Sequence, residues 1–148
     1  MSRYLLVTHV GATLFMVGLI WFVQVVHYPL FDRVGEQGFA VYERLHTLRT
    51  AWVVVPPMLL EAATAVLLLS RRPAGVSSTQ VLLGLGLLLV IWLSTAFLQV
   101  PRHQQLAAGF DSTVHHTLVL TNWLRTIAWS ARGVLVLAMT ARALQPGP

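Results

Sequence analysis

The feature that most constrains this chain is a pair of long segments without any charged side chain. Residues 4–31 and residues 73–101 contain no Asp, Glu, Lys or Arg. A helix rises about 1.5 Å per residue, so roughly 20 apolar residues cross a hydrocarbon core about 30 Å thick. Only helices and closed barrels satisfy their backbone inside a bilayer, and these segments do not alternate in polarity as barrel strands do. The sequence therefore predicts an all-α integral membrane protein.

Four hydrophobic segments are long enough to cross a membrane. They cover about residues 4–26, 50–70, 80–100 and 118–142. Because no linker or low-complexity stretch separates them, residues 1–148 are predicted to form a single transmembrane domain, a four-helix bundle. The first segment is too long for the core of a signal peptide, and no small-x-small cleavage site follows it.

Composition narrows the classes of function. Only 10% of the residues are charged, compared with about 25% in a typical soluble domain. The chain has no cysteine, which excludes disulfides and thiolate metal sites. Its ten basic residues are all arginine, and no basic run is longer than Arg71-Arg72. We therefore predict the lipid bilayer as a partner and no binding to nucleic acid.

The distribution of charges predicts the orientation in the membrane. With four spans both termini lie on one side, where the arginines have no acid beside them: Arg3, Arg71, Arg72 and Arg142. The opposite side carries as many arginines, but acids accompany them: Asp32, Glu36, Glu43 and Asp111. The short inner loop and its missing acids favour an N-in/C-in topology. We predict the cytoplasmic membrane of a bacterium, with both termini cytoplasmic.

The two outer loops are expected to contain regular structure. In the first, Phe39 to Arg49 is predicted to be a helical extension that leads into helix 2. Pro56-Pro57 is expected to kink that helix, because proline removes a backbone donor. The second outer loop is predicted to begin at Pro101. Asp111 or Ser112 is predicted to cap the last helix.

The last helix carries a polar stripe. Its members are spaced three, four and three residues apart and so share one helical face: Asn122, Arg125, Trp129 and Arg132. A charge at bilayer depth costs at least about 3 kcal/mol, so this face is expected to point into the protein. Arg132 lies at the depth of Glu61 in helix 2, and the two are predicted to form a structural ion pair. Alternatively they anchor the floor of a cavity or take part in proton movement.

A histidine cluster is predicted on the outer side. Most of the histidines map there: His27, His46, His103, His115 and His116. Glu43 and His46 stand three residues apart, a spacing that supplies a carboxylate and an imidazole to metal sites in helical bundles. A diiron site would need a second such pair, so the metal hypothesis is a single transition metal. Its predicted ligands are His27, Glu43, His46 and His103. The simpler interpretation is that these histidines only bond to loops and lipid headgroups.

A third interpretation of the outer side needs no metal, so the predicted cofactor is either none or one transition metal. Arg125 and Asn122 would bind and polarise a phenolic or anionic oxygen. His27 or His115 would then act as the base. The residues predicted to bind the rest of a lipophilic substrate are Trp129, Trp123, Gln24 and Arg102.

Residues 100–132 carry a resemblance to a known family. The motif consists of Val100-Pro101-Arg102-His103 and of Asn122-Trp123-Leu124-Arg125-Thr126 followed by Trp129. It resembles the anthrone-oxygenase-like family of small four-helix membrane proteins, which pairs a Pro-x-Asn-type outer loop with an Asn-x-x-Arg motif opening the last helix. Here His103 and Gln104 stand where that loop usually has asparagines. The resemblance implies oxidation of a polycyclic or phenolic substrate by dioxygen, without a required metal.

The leading hypothesis is therefore a membrane-embedded oxygenase or oxidoreductase for a small lipophilic substrate, with its polar site near the outer face. The alternative is a non-catalytic accessory or assembly subunit of a larger membrane complex. An enzyme should have an enclosed pocket lined by Asn122, Arg125 and histidines. A subunit should have these residues bonded to each other, beside a flat face of small residues. A transporter is a weaker third option, because four helices would need a homo-oligomer.

Overall fold

A computed structural model describes residues 2–145, and every regular element in that range is a helix. Helix α1 (Ser2–Phe22) continues through a π-helical turn (Val23–His27) into a 3₁₀ turn (Pro29–Arg33). Helix α2 spans Glu36–Arg71. Helix α3 (Ser78–Ser94) continues through a second π-helical turn (Thr95–Gln99) into α4 (Val100–Leu106), and α5 spans Ser112–Leu144. The prediction of an all-α chain with four long apolar helices is confirmed.

Each of the four helical stretches is long and apolar enough to cross a membrane. They contain 32, 36, 29 and 33 residues and extend beyond the predicted spans, chiefly at one end of the bundle. The predicted extension of residues 39–49 is confirmed, because α2 is one uninterrupted helix that begins at Glu36. Pro56 and Pro57 lie inside α2 without ending it. A kink at this point stays a prediction.

The prediction that a loop begins at Pro101 is wrong. Residues 101–105 are helical, and the chain leaves the helix only after Leu106. Pro101 lies in the first turn of α4, directly after the second π-helical turn. Proline lacks a backbone donor, and its position directly after the irregular π-helical turn lets the helix continue without that hydrogen bond.

Both described ends of the chain lie at one end of the bundle, which we call the terminal end. A small apolar cluster closes it, formed by Leu6, Leu68, Val76, Val81, Met139 and Ala143. The turn between α2 and α3 packs closely here: a Cβ on Gly75 would lie 2.6 Å from the carbonyl oxygen of Arg142. Ser77 then starts α3 with a capping box that it forms with Gln80.

The opposite end, which we call the histidine end, is closed by an aromatic core. Phe31 and Phe39 are fully buried there, with ring centroids 5.9 Å apart. Asp111 begins α5 as its N-cap, because its carboxylate accepts from the backbone N–H groups of Thr113 and Val114 at 2.8 and 3.0 Å. Of the two predicted capping residues, the structure selects Asp111.

The exterior of the bundle is apolar and its interior carries polar and charged groups. Large hydrophobic side chains such as those of Trp52, Phe97 and Val134 are more than two-thirds exposed. In contrast, Glu61 and Asn122 are fully buried. This distribution is the reverse of that in a soluble helical bundle, where polar residues cover the surface.

Candidate functional site

The first of two buried polar clusters, which we call the ion-pair cluster, lies toward the terminal end around Glu61. Arg132 Nε lies 2.9 Å from Oε1 of Glu61, so the sequence-predicted pair is in contact. Thr13 donates to the same oxygen at 2.8 Å, and the indole N–H of Trp129 donates to Oε2 at 3.1 Å. Both oxygens of this carboxylate are therefore satisfied by neighbouring helices.

The remaining groups of the ion-pair cluster are also bonded. Nη1 of Arg132 donates to the carbonyl oxygen of Gly84 in α3, and Nη2 lies 3.4 Å from Nε2 of His9. The other ring nitrogen of His9 lies 2.8 Å from Oγ1 of Thr64. This cluster connects α1, α2, α3 and α5, and its closed set of bonds favours a structural role.

The second polar cluster, which we call the outer cluster, consists of Tyr28, Glu43, His46, His103 and Arg125. It borders a cavity of about 410 Å³. Most of the cavity wall is apolar, with contributions from Met16, Ile20, Val23, Val54, Val55 and Val100. We call the group of Tyr28, His46, His103 and Arg125 its polar wall; other polar residues that line the cavity are Thr47, Thr50, Thr95, Gln99 and Gln104. Trp129 also lines the cavity while its indole donates to Glu61, so this side chain separates the two clusters.

A chain of hydrogen bonds runs behind the polar wall. Nδ1 of His103 lies 2.5 Å from Oε1 of the buried Glu43. Because a carboxylate only accepts, Nδ1 carries the hydrogen, which leaves Nε2 of His103 to accept from the Tyr28 hydroxyl at 2.8 Å. The same hydroxyl accepts from Nη2 of Arg125 at 3.3 Å. Tyr28 therefore connects a carboxylate–imidazole pair to a guanidinium.

Arg125 is held by neutral groups. Its Nε donates to Oδ1 of Asn122 at 2.9 Å, and Nη1 lies 3.4 Å from Oγ1 of Thr95. Asn122 in turn donates to Oε1 of Gln24 at 2.8 Å. Within residues 2–145 no carboxylate pairs with Arg125, and the buried Glu43 bonds to His103. The positive charge of Arg125 is thus oriented but not neutralised.

Three potential metal ligands meet in the outer cluster. One donor atom from each of Glu43, His46 and His103 lies within 4.8 Å of the other two. Glu43 is fully buried, and its Oε2 has no hydrogen-bond partner among the described residues. Nδ1 of His46 lies 2.9 Å from Nε2 of His27 and 3.1 Å from Oγ1 of Thr50, which leaves Nε2 of His46 available to a ligand.

The predicted catalytic residues fall into two groups. Arg125 lines the cavity, whereas Asn122 is fully buried behind it and acts on the cavity only through Arg125. His27 lies behind His46 and does not line the cavity. Nε2 of His115 lies 2.8 Å from the carbonyl oxygen of Tyr28, so His115 fixes the backbone rather than facing the cavity.

Only one of the predicted substrate-binding residues lines the cavity, namely Trp129. Gln24 is buried among Asn122, Thr126 and the Val119 carbonyl group. Trp123 packs edge-on against Trp21 on the exterior, with ring centroids 5.7 Å apart. Arg102 donates to the Leu98 carbonyl oxygen at 2.6 Å and lies outside the cavity wall.

Sequence reasoning gave Tyr28 no role in the site, although it is the centre of the polar wall. A tyrosine beside a helix-ending proline resembles a residue of an interfacial belt, yet Tyr28 is 4% exposed. Thr95 and Gln99 of the second π-helical turn also line the cavity, as does Val23 of the first. π-Helical turns often occur at functional sites, but nothing in the sequence marked these two.

The structure agrees in part with the enzyme hypothesis and in part with the subunit hypothesis. The cavity exists, and Arg125 and two histidines line it, as an enzyme requires. Asn122 is bonded to its neighbours, as a subunit would have it. No protein-family model matches this chain, and no curated protein or solved structure is found to be similar to it. The resemblance to the anthrone-oxygenase-like family therefore rests on the motif residues alone.

Proposed function

We propose that this chain is an integral membrane oxygenase that acts on a small lipophilic substrate with a phenolic or enolisable oxygen. One observation carries the proposal: an apolar cavity of about 410 Å³ with an unneutralised arginine, Arg125, in its wall. Cavities of this size, mostly apolar with a few oriented polar groups, are typical of sites for small organic ligands.

The apolar exterior supports residence in a membrane. Four helices of sufficient length carry exposed hydrophobic side chains, and the charged pair of Glu61 and Arg132 is buried. We propose an N-in/C-in orientation, in which the histidine end lies on the outer face of a bacterial cytoplasmic membrane. Because the chain has no cysteine, single cysteines report the orientation cleanly.

We expect a membrane-impermeant maleimide to label Ala108→Cys in intact cells and to label Ala74→Cys only after the cells are broken. Both alanines are exposed, the first beyond α4 at the histidine end and the second in the turn at the terminal end. The opposite labelling pattern would reverse the orientation. If alkaline carbonate without detergent released the protein from membranes, the membrane assignment would be contradicted.

The mouth of the cavity supports a lipophilic substrate. On the side between α2 and the helix formed by α3 and α4, the lining residues Ala51, Val55 and Val100 are exposed on the apolar exterior. The α1 and α5 side of the cavity is closed by Ile20 and Trp129, which are buried. A substrate dissolved in the bilayer would enter between α2 and α3 without crossing water.

The polar wall supports chemistry at a substrate oxygen. Arginine stays positively charged, so Arg125 in the cavity wall can donate to and stabilise a substrate oxygen that becomes negative. A phenolate or enolate stabilised in this way is electron-rich and reacts with dioxygen. In the ketone form, a methylene carbon of the ring, opposite the carbonyl group, carries two hydrogens. This carbon gains one oxygen atom from dioxygen, and its two hydrogens leave with the second oxygen atom as water, so no external reductant is consumed.

The test uses the purified full chain in lipid nanodiscs, with anthrone as the probe. Anthrone contains a ketone that enolises to a phenol, whereas anthracene has the same ring system without the oxygen. We expect anthrone to quench tryptophan fluorescence through Trp129 at lower concentration than anthracene. We also expect oxygen uptake with formation of anthraquinone above the rate without protein.

Arg125→Met should weaken anthrone binding at least about tenfold, since a hydrogen bond to a charged group contributes about 1.5–3 kcal/mol. It should leave anthracene binding unchanged. Arg49→Met is the matched control, because Arg49 is an exposed arginine at the same end of the bundle. Equal anthrone binding by both variants would remove Arg125 from the site. Absence of anthrone binding by the unmodified chain would leave the accessory-subunit alternative.

A further inference from the structure

We infer that Glu43, His46 and His103 bind a single divalent transition metal at the wall of the cavity, and that this metal is iron(II). This deepens the proposed function by naming a cofactor, and it rests on that function only for the choice of iron. The binding itself is argued from the three side chains and their neighbours.

The spacing of the ligands follows from the fold. Glu43 and His46 are three residues apart in α2, so they project from adjacent positions of one turn. His103 comes from α4 and closes the set, which places one donor atom of each residue within 4.8 Å of the others. One carboxylate and two imidazoles from two packed helices suit iron, zinc, copper or manganese.

An unbonded oxygen indicates that the set lacks a positive partner. Glu43 is fully buried, its Oε1 is bonded by His103, and its Oε2 has no partner among residues 2–145. The same chain supplies an internal comparison in Glu61, which is equally buried but has donors on both oxygens. Buried acceptors without a donor are rare and costly, and a bound cation would satisfy Oε2.

The neighbours of the two imidazoles match those of metal-bound histidines. A metal-ligating histidine usually bonds through its other ring nitrogen to a second group that fixes its orientation. Nδ1 of His46 has His27 and Thr50 in that position, and Nε2 of His103 has Tyr28. A metal at Nδ1 of His103 would displace its hydrogen, and the ring would then donate from Nε2 to Tyr28.

The cavity leaves room for further ligands. His46 and His103 line it, so a molecule in the cavity would contact two of the three ligand residues. Two histidines and one carboxylate with open positions are typical of non-haem iron(II) oxygenases. Arg125, joined to His103 through Tyr28, would place the substrate oxygen beside the same wall.

The experiment measures metal without substrate. The full chain in nanodiscs is stripped with a chelator, loaded with iron(II) under nitrogen, desalted and assayed by mass spectrometry for metal. We expect one iron per chain, and loading with cobalt(II) should give visible d–d absorption bands. Glu43→Gln and His103→Gln should each weaken binding at least about 100-fold, and His27→Ala about 10- to 100-fold. His116→Gln, at an exposed histidine, is the control that should bind as the unmodified chain does.

Retention of no metal by the unmodified chain would overturn the inference. It would also be overturned if Glu43→Gln and His103→Gln retained as much metal as the unmodified chain. If the ligand variants fail to fold, X-ray absorption of the cobalt-loaded unmodified chain decides: the absence of imidazole scattering from two histidines would overturn it. The proposed function is tested by a separate measurement. Anthrone binding is measured on the chelated protein, so loss of metal and loss of substrate binding are distinguished.

Discussion

The two fully buried glutamates of this bundle have opposite surroundings. Glu61 receives hydrogen bonds on both oxygens and pairs with Arg132. Glu43 has one bonded oxygen, a histidine as its partner and a cavity beside that histidine. A saturated cluster holds helices in register, whereas an unsaturated one at a cavity can still accept a ligand. Burial of a charged residue therefore does not by itself distinguish structure from function; the number of unmet bonds does.

The largest effect is expected from Glu61→Gln. The substitution leaves the buried guanidinium of Arg132 without its counter-charge, which costs about 3–5 kcal/mol of unfolding free energy. Thermal unfolding in detergent, followed by helical circular dichroism, measures this. The double variant Glu61→Gln with Arg132→Met should recover much of the loss, because it removes both charges. A melting temperature of Glu61→Gln equal to that of the unmodified chain would place the cluster outside the structural core.

Trp129→Phe tests the boundary between the two clusters and should have an intermediate effect. It removes the indole donor from Oε2 of Glu61, which costs about 1–3 kcal/mol for an acceptor left unbonded. The smaller ring also widens the cavity, so we expect weaker anthrone binding in the same variant. Thermal unfolding and equilibrium dialysis of anthrone on one preparation test both, because this variant lacks the tryptophan that reports binding by fluorescence. Loss of one without the other would show that Trp129 does not connect the clusters.

Glu43→Gln should cost less than about 1 kcal/mol of stability, in contrast to Glu61→Gln. Oε2 has no donor to lose, and the glutamine oxygen can still accept from Nδ1 of His103. The same variant should lose tight binding of iron(II). Comparing its melting temperature with that of Glu61→Gln is the most direct test of the contrast. Equal destabilisation by the two would mean that the outer cluster is structural as well.

The smallest effect is expected from Arg102→Gln. Arg102 was a predicted substrate-binding residue, but it bonds to the Leu98 carbonyl oxygen and lies outside the cavity wall. Stability should change by no more than about 0.5 kcal/mol, and anthrone binding should stay the same. Anthrone binding is measured by fluorescence titration, with Arg125→Met measured in parallel as the reference for a large loss of binding. A loss as large as that of Arg125→Met would show that the substrate reaches beyond the cavity.

Much of the fold could be predicted because the relevant signals are local. Uncharged runs determine the number of helices, and Asp111 caps α5 through a side chain two and three residues from its partners. The contact of Glu61 with Arg132 followed from counting depth along two helices, since a buried charge needs a partner at its own level. Each of these requires only distances along a helix.

The sequence predicted that the histidines of the outer cluster lie together, but not which residues bond to each other. Its histidines were placed at one end, but Tyr28 was missed, and the hydrogen bond between Glu43 and His103 was not predicted. The two π-helical turns explain part of this, because one additional residue in a turn rotates the rest of the helix by about 100°. Val23–His27 and Thr95–Gln99 therefore reset the faces of the residues that follow them.

Four apolar helices follow from the sequence, and so does the set of charged residues that a membrane-spanning bundle would have to bury, because hydrocarbon rejects charge whatever the packing. The packing of the helices against each other determines which polar groups bond to each other and which have no partner. Whether two polar groups bond depends on atoms of different helices lying within about 3 Å of each other, and the periodicity of a sequence does not predict distances that finely. The same precision separates Glu61, whose bonds are complete, from Glu43, whose remaining oxygen carries the metal inference.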